Sequence, residues 1–102
     1  MQSRKRHDEH VGIIAKRLAE KGHTAIHTNM PYRCNGLEGE VDILTIKGNT
    51  LYFYEYKQHD GYCQRQKAHS QFERFKEAYG HLKIRGVYVA EGYEKPIVAQ
   101  RM

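Results

Sequence analysis

The stretch EVDILTIKGNTLYFYEYK, residues 40–57, decides the fold of this chain. Its two apolar segments, residues 41–46 and 51–57, are rich in branched and aromatic side chains, which is typical of β-strands. The Gly48-Asn49 pair between them is a turn signal. The stretch therefore predicts a β-hairpin that closes at Gly48 and Asn49.

The register of this hairpin places four charged side chains together. Asp42 is expected across from Glu55, and Glu40 across from Lys57. Residues two apart on a strand share a face, so all four should project from one face, at the end away from the turn. Directly opposed carboxylates repel each other unless a cation lies between them. Mg²⁺ binds one or two carboxylates together with waters, so the pattern predicts a divalent-cation site. Alternatively, Glu40 and Lys57 form a plain ion pair at a sheet edge.

The rest of the hairpin predicts what surrounds this site. Nearer the turn, the face with the charged cluster is apolar, and we expect a helix to cover it; it carries Leu44, Ile46, Leu51 and Phe53. The opposite face of the second strand carries Tyr52, Tyr54 and Tyr56.

Before the hairpin, the chain predicts a helix over residues 9–21. Its apolar positions follow helical spacing, and they are Val11, Ile14, Ala15 and Leu18. Gly22 ends this helix, and the polar residues 1–8 are expected to be flexible. A short strand follows at 24–28, and the stretch NMPYRCNGLEG, with Pro31 and several turn formers, predicts a loop.

After the hairpin, the chain predicts a helix over residues 64–79, a buried strand over 86–90 and a short edge strand around Ile97 and Val98. The predicted fold class is therefore α/β (α+β), with the order αβββαβ and a mixed central sheet flanked by helices. At 102 residues, the chain is expected to form a single domain.

Composition narrows the class of protein. The chain has 17 Lys and Arg against 12 Asp and Glu, a formal net charge of +5 that favours a polyanionic partner. No apolar run is long enough to cross a membrane. Cys34 and Cys63 make neither a disulfide framework nor a zinc motif, so a reducing, cytoplasmic location is expected.

The spacing of Asp42 and the triplet Glu55-Tyr56-Lys57, between one helix and another, resembles the PD-(D/E)XK nuclease motif. The likeness is closest to the archaeal-type Holliday junction resolvases and extends from residue 9 to about residue 92. The segment GEVDIL also resembles a related family of small nuclease-like proteins. The resemblance implies a small restriction-endonuclease-like fold.

The resemblance also implies a reaction. It implies an endonuclease that hydrolyses DNA phosphodiester bonds, resolves Holliday junctions or other branched DNA, and serves DNA recombination and repair. Asp42, Glu55 and the backbone carbonyl of Tyr56 would bind Mg²⁺, for which Mn²⁺ would substitute. Lys57 would orient or activate the attacking water and stabilise the charge that builds on the phosphate.

The family usually adds a glutamate from the first helix to the metal site. Glu9 is the candidate here, although the family spacing to Gly22 points to Val11, which cannot bind a metal. His10 and Glu40 are the alternatives.

Four further residues are candidates for DNA contacts: Arg33, Arg65, Lys67 and Gln71. Each would otherwise be an ordinary solvated surface residue. Because coordinated cutting of two strands requires two active sites, a homodimer is expected. Its seam would be the Tyr52, Tyr54 and Tyr56 face or residues 84–98. The rival hypotheses are another nuclease on this fold, whether nicking, restriction-like or exonucleolytic, and a non-catalytic nucleic-acid-binding module.

Overall fold

The structure, a computed structural model, describes residues 4–34, 36–90 and 93–97. The elements follow the order α1 (Arg4–Glu20), β1 (Thr24–Cys34), β2 (Leu37–Lys47), β3 (Thr50–Lys57), α2 (Tyr62–Ala78), β4 (Ile84–Ala90) and β5 (Tyr93–Ile97). The strands form one sheet in the order β1-β2-β3-β4-β5. β3 and β4 are parallel, and the other neighbouring pairs are antiparallel. The predicted fold class and the order αβββαβ are confirmed, and the short edge strand expected after them is β5.

Helix α1 covers one face of the sheet. Its buried side chains recur at helical spacing and pack against Ile43, Tyr54 and Tyr56; they are Val11, Ile14 and Leu18. Full burial of one such side chain stabilises the fold by about 1.5–3 kcal/mol. The tyrosine face of β3 is thus part of the core, and the prediction that it could form a dimer seam is wrong at Tyr54 and Tyr56.

Helix α2 covers the other face. Ala68, Phe72 and Phe75 pack in one cluster with Leu44 of β2 and Phe53 of β3. A helix therefore covers the face predicted to need one. Ile46 is the exception, because it lies two residues from the turn and remains 38 % exposed.

Strand β2 lies between the two helices, and all five residues from Val41 to Thr45 are buried. Its pairing with β3 runs from Lys47 opposite Thr50 to Ile43 opposite Tyr54. This register is the one that the Gly48-Asn49 turn predicts. Gly48 has a φ of +63°, a backbone conformation that glycine adopts without the penalty that a side chain brings.

The prediction of a loop at NMPYRCNGLEG is wrong. β1 continues to Cys34 and pairs with β2 as far as Cys34 opposite Leu37, where the chain reverses around Gly36. A proline would interrupt a central strand, but Pro31 lies in β1, an edge strand whose outer side needs no hydrogen-bond donor. The hairpin also leaves no room for a side chain at position 39, where a Cβ atom would lie 2.4 Å from the Tyr32 ring.

The ends of the chain differ in part from the predictions. α1 begins at Arg4, so residues 4–8, which were expected to be flexible, are helical. At the other end, Ile97 lies in β5 as predicted, and Val98 lies outside the described residues. Neither of the two described helices is long and apolar enough to cross a membrane.

Candidate active site

Three of the predicted site residues lie together where β2 and β3 separate. The pairing of the two strands ends at Ile43 and Tyr54, and Asp42 is the next residue of β2 beyond the paired segment. There a side-chain hydrogen bond takes the place of strand pairing, because Asp42 Oδ2 accepts a 2.7 Å hydrogen bond from the Tyr56 N–H. This bond ties the Asp42 carboxylate to the strand that carries Glu55 and Lys57. The structure thus brings Asp42, Glu55 and Lys57 into one cluster.

Glu55 is the most deeply buried member, with only 2 % of the residue exposed. Its Oε2 lies 3.6 Å from Lys57 Nζ. Its Oε1 is buried and has no hydrogen-bond partner among the described residues. Burial and then the neighbouring negative charge of Asp42 raise the pKa of Glu55 to about 9, and the Lys57 ammonium opposes this shift only in part. The positive charge of Lys57 therefore does not fully compensate the burial of Glu55 and the negative charge of Asp42.

The residues present fit a hydrated divalent cation. A buried carboxylate oxygen without a partner, beside a second carboxylate, is the donor set that Mg²⁺ takes when it keeps most of its waters. No group of three or more His, Cys, Asp or Glu side chains in residues 4–34, 36–90 and 93–97 could enclose a metal. The set therefore suits a cation held partly by water or substrate, and Asp42 and Glu55 would be its protein ligands.

Helix α1 contributes histidine to this cluster where the sequence suggested glutamate. His7 Nε2 lies 3.3 Å from Asp42 Oδ1, whereas Glu9 is exposed. His10, one of the alternatives, hydrogen-bonds through Nδ1 to the Tyr56 hydroxyl at 2.7 Å. Neither Glu9 nor His10 therefore takes the predicted place beside Asp42.

Sequence reasoning missed His7 because it falls in the segment that was expected to be flexible. A signal was present nonetheless. His7 precedes Val11 by four residues and Ile14 by seven, so it continues the buried stripe of α1 by one more turn. Helical spacing alone could have placed its side chain on the face that meets β2 and β3.

Glu40 does not continue the β2–β3 ladder, because that ladder ends at Ile43. Glu40 is half-buried and pairs instead with Pro31 of β1, while Lys57 pairs with Ala90 of β4. The predicted pairing of Glu40 with Lys57 across the hairpin is therefore wrong. β2 and β3 separate at this point, while β2 stays paired with β1 and β3 stays paired with β4.

The segment between β3 and α2 is held by Asp60. The Tyr88 hydroxyl donates a 3.0 Å hydrogen bond to Asp60 Oδ1, and Arg65 Nε lies 3.3 Å from the same oxygen. Burial, and then Asp60, raise the pKa of Tyr88 to about 12. Arg65, a candidate DNA contact, thus has a role in fixing the start of α2. Lys67, two residues further, is exposed.

Of the other two candidate DNA contacts, Arg33 lies in the β1–β2 hairpin and Gln71 lies in α2. Arg33 is exposed and forms an ion pair with Glu38, its cross-strand neighbour. The Gln71 backbone carbonyl accepts a 3.1 Å hydrogen bond from the Tyr32 hydroxyl, and its side-chain Oε1 is buried without a partner in the described part of the chain. The described contact of Gln71 with the β1–β2 hairpin is therefore made by its backbone carbonyl.

Comparison with known structures supports the fold. The chain is similar to the crystal structure of a protein of unknown function, AF1548, with a TM-score of 0.68 and 20 % identity over 82 % of this chain and 46 % of that one. It is also similar to a repair endonuclease from Pyrococcus abyssi, with a TM-score of 0.59 and 22 % identity over 88 % of this chain and 38 % of that one. The chain therefore spans less than half the length of either protein.

No protein-family model matches the chain, and no curated protein sequence matches it. At identities near one fifth, the two structural similarities show a shared fold.

Proposed function

We propose that this chain is a metal-dependent DNA endonuclease that hydrolyses phosphodiester bonds in branched DNA. One observation carries the proposal: a buried glutamate with an unsatisfied oxygen lies beside Asp42 and Lys57 at the point where two strands separate. A carboxylate pair with a lysine beside it is suited to hold a cation next to a phosphate. The fold shared with a repair endonuclease supports the proposal.

In this mechanism each residue has a separate task. Asp42, oriented by the Tyr56 N–H, and Glu55 would hold the divalent cation, and the Tyr56 backbone carbonyl would be a further ligand. When bound, Mg²⁺ or Mn²⁺ polarises the scissile phosphate and lowers the pKa of a coordinated water. Lys57 is 25 % exposed at its side chain, so its ammonium group is accessible from outside. It orients the attacking water and stabilises the negative charge that develops on the phosphate.

The proposed substrate rests on charge and on the resemblance of Asp42 and the triplet Glu55-Tyr56-Lys57 to the motif of the Holliday junction resolvases. The formal charge of +5 favours a polyanion. A two-fold homodimer would duplicate both the metal site and the positive charge. We therefore propose a four-way junction or similar branched DNA as the substrate, within an intracellular pathway of recombination or repair.

A metal titration with two substrates tests the proposal. The assay follows cleavage of a supercoiled plasmid and of a labelled four-way junction, with Mg²⁺, with Mn²⁺ and with a chelator. We expect cleavage only with metal, and a loss of at least about a hundredfold in Asp42→Asn. Glu20→Gln, which alters an exposed carboxylate of α1, is the matched control and should cleave like the wild type.

The outcome of this assay decides between the hypotheses. If Asp42→Asn cleaves at the wild-type rate in Mg²⁺, the nuclease proposal fails. If the wild type binds DNA and cleaves neither substrate under any metal condition, the chain is a nucleic-acid-binding module. Equal cleavage of the junction and of a labelled linear duplex of equal length, assayed in parallel, would retain the nuclease and exclude the preference for branched DNA.

A further inference from the structure

The ring of His7 is held in place by three contacts. Its Nε2 lies 3.3 Å from Asp42 Oδ1, and its Nδ1 lies 3.3 Å from Asp8 Oδ1. The ring also meets the edge of Tyr56, with 5.7 Å between the ring centroids. The His7 side chain is only 14 % exposed although it lies in the first turns of α1. The His7 ring thus contacts two carboxylates and one aromatic ring.

The contact with Asp42 completes a two-point support of that carboxylate. The Tyr56 N–H holds Oδ2 at 2.7 Å, and His7 holds Oδ1. The χ2 torsion of an aspartate is broad, so one hydrogen bond alone leaves the carboxylate free to rotate. A carboxylate can accept about four hydrogen bonds, so these two contacts leave acceptor capacity on Asp42 for a cation.

We propose that His7 is a positioning residue that fixes the Asp42 carboxylate for metal binding and so links helix α1 to the active site. This inference rests on the proposed function insofar as it concerns metal affinity. In its structural part it concerns only the orientation of Asp42. Hydrogen-bonded partners of metal-binding carboxylates contribute about 10–100-fold to metal affinity in other proteins.

A metal-free measurement tests the structural part. The Tyr56 amide proton reports on Asp42, because Asp42 Oδ2 accepts it. We expect His7→Leu to shift the NMR resonance of this amide and to speed its hydrogen exchange severalfold. His7→Gln, which retains an N–H donor, should restore most of the protection. His81→Gln removes an imidazole from an exposed turn and should change neither quantity.

Calorimetric titration with Mn²⁺ tests the part that concerns metal. His7→Leu should lose about 10–100-fold in affinity, as expected for an outer partner of a ligating carboxylate. His7→Gln and His81→Gln should stay within about threefold of the wild type. Thermal unfolding of each variant shows whether α1 and the fold are retained.

The results separate the two proposals. Wild-type affinity and an unchanged Tyr56 amide in folded His7→Leu overturn the role of His7 and leave the nuclease proposal standing. If the wild type binds no Mn²⁺, the metal-dependent function fails, and the amide measurement alone decides the role of His7. Nitrogen hyperfine coupling in the Mn²⁺-loaded wild type that is lost in His7→Gln would make His7 a direct ligand, which overturns positioning.

Discussion

At the scale of single residues, Glu55 is a carboxyl group whose surroundings oppose its ionisation. It is nearly inaccessible to water, and Asp42 adds negative charge beside it, so its pKa rises to about 9. Lys57 lies 3.6 Å away and offsets only part of this effect. A buried acid of this kind stays protonated at neutral pH until a cation replaces the proton.

The raised pKa predicts how stability depends on pH in the metal-free protein. The folded protein keeps the Glu55 proton up to about pH 9, whereas the unfolded chain releases it near the ordinary value of 4.5. Unfolding therefore releases a proton within this window, and the free energy of unfolding should fall as pH rises through it. Chemical denaturation in a chelator, from about pH 5 to pH 9, measures this slope.

Glu55→Gln is the comparison for that measurement. An amide has no proton to release, so the variant should lack the part of the slope that Glu55 contributes. Equal slopes in the two proteins would show that Glu55 is already ionised in the folded state. In the wild type, metal should bind more tightly as pH rises, because binding displaces the Glu55 proton.

Substitutions at the three clustered residues should separate cleavage from DNA binding. Asp42→Asn, Glu55→Gln and Lys57→Ala are each expected to abolish cleavage, since each would remove a proposed metal ligand or the proposed positive charge beside the phosphate. Binding should stay within a fewfold of the wild type, because many phosphate contacts supply affinity. Gel-shift and cleavage assays with one labelled junction measure both quantities. Lys16→Ala, at an exposed position of α1, is the control. A parallel loss of binding and cleavage would contradict the assignment.

At the scale of elements, the site exists because two neighbouring strands separate. β2 and β3 pair as far as Ile43 and Tyr54. Among the described residues beyond this point, β2 is paired only with β1, and β3 only with β4. The backbone N–H of Tyr56 is thereby available to the Asp42 side chain. The two helices cover opposite faces of the sheet. At the point of separation Glu55 is buried, whereas the Lys57 side chain is 25 % exposed.

The packing of α2 on β4 predicts the effect of a single methyl group. The Phe72 ring lies against Gly86, where an added Cβ atom would come within 2.7 Å of a ring carbon. Gly86→Ala should therefore lower the free energy of unfolding by about 1–3 kcal/mol, as overpacked cores do. Denaturant titration measures this change.

Gly12→Ala is the control for that substitution. Gly12 lies inside α1, and a Cβ atom there would meet nothing within 4 Å. Alanine should raise the free energy of unfolding by roughly 0.5–1 kcal/mol, because it favours the helix over the unfolded chain. If both substitutions had the same sign, close packing of Phe72 on Gly86 would not be the cause.

At the scale of the whole molecule, the assembly state and the preferred DNA substrate are predicted jointly. We expect a homodimer in solution that prefers a four-way junction over linear duplex of equal length. A dimer doubles the formal charge of +5, so binding should weaken steeply with added salt as counterions are released. Light scattering gives the assembly state, and competition between the two DNA forms gives the preference. A monomer that cuts both forms equally would contradict the resolvase hypothesis and leave phosphodiester hydrolysis untouched.

The seam of such a dimer must lie away from the tyrosine face of β3. Tyr54 and Tyr56 are buried under α1 and are not available to a second copy. Substitutions there should act on folding and not selectively on association. The position of α1 decides which face of β3 is buried, and the alternation of residues along β3 does not reveal that position.

Local patterns determined much of this protein. The turn at Gly48-Asn49 sets the register of β2 and β3, and that register brings Asp42 towards Glu55. Helical spacing predicted that α1 and α2 each have one buried face. These features depend on neighbours in sequence, where chain connectivity restricts the geometry, so sequence patterns suffice to predict them.

Tertiary structure decided the rest. Pro31 and its turn-forming neighbours predicted a loop, yet β1 pairs with β2 to Cys34, because an edge strand tolerates proline. The contact of His7 with Asp42 depends on where α1 lies on the sheet. The unpaired oxygen of Glu55 and its raised pKa arise only once the folded chain buries this side chain beside Asp42. Burial and long-range contacts are properties of the assembled fold, and spacing along the chain does not specify them.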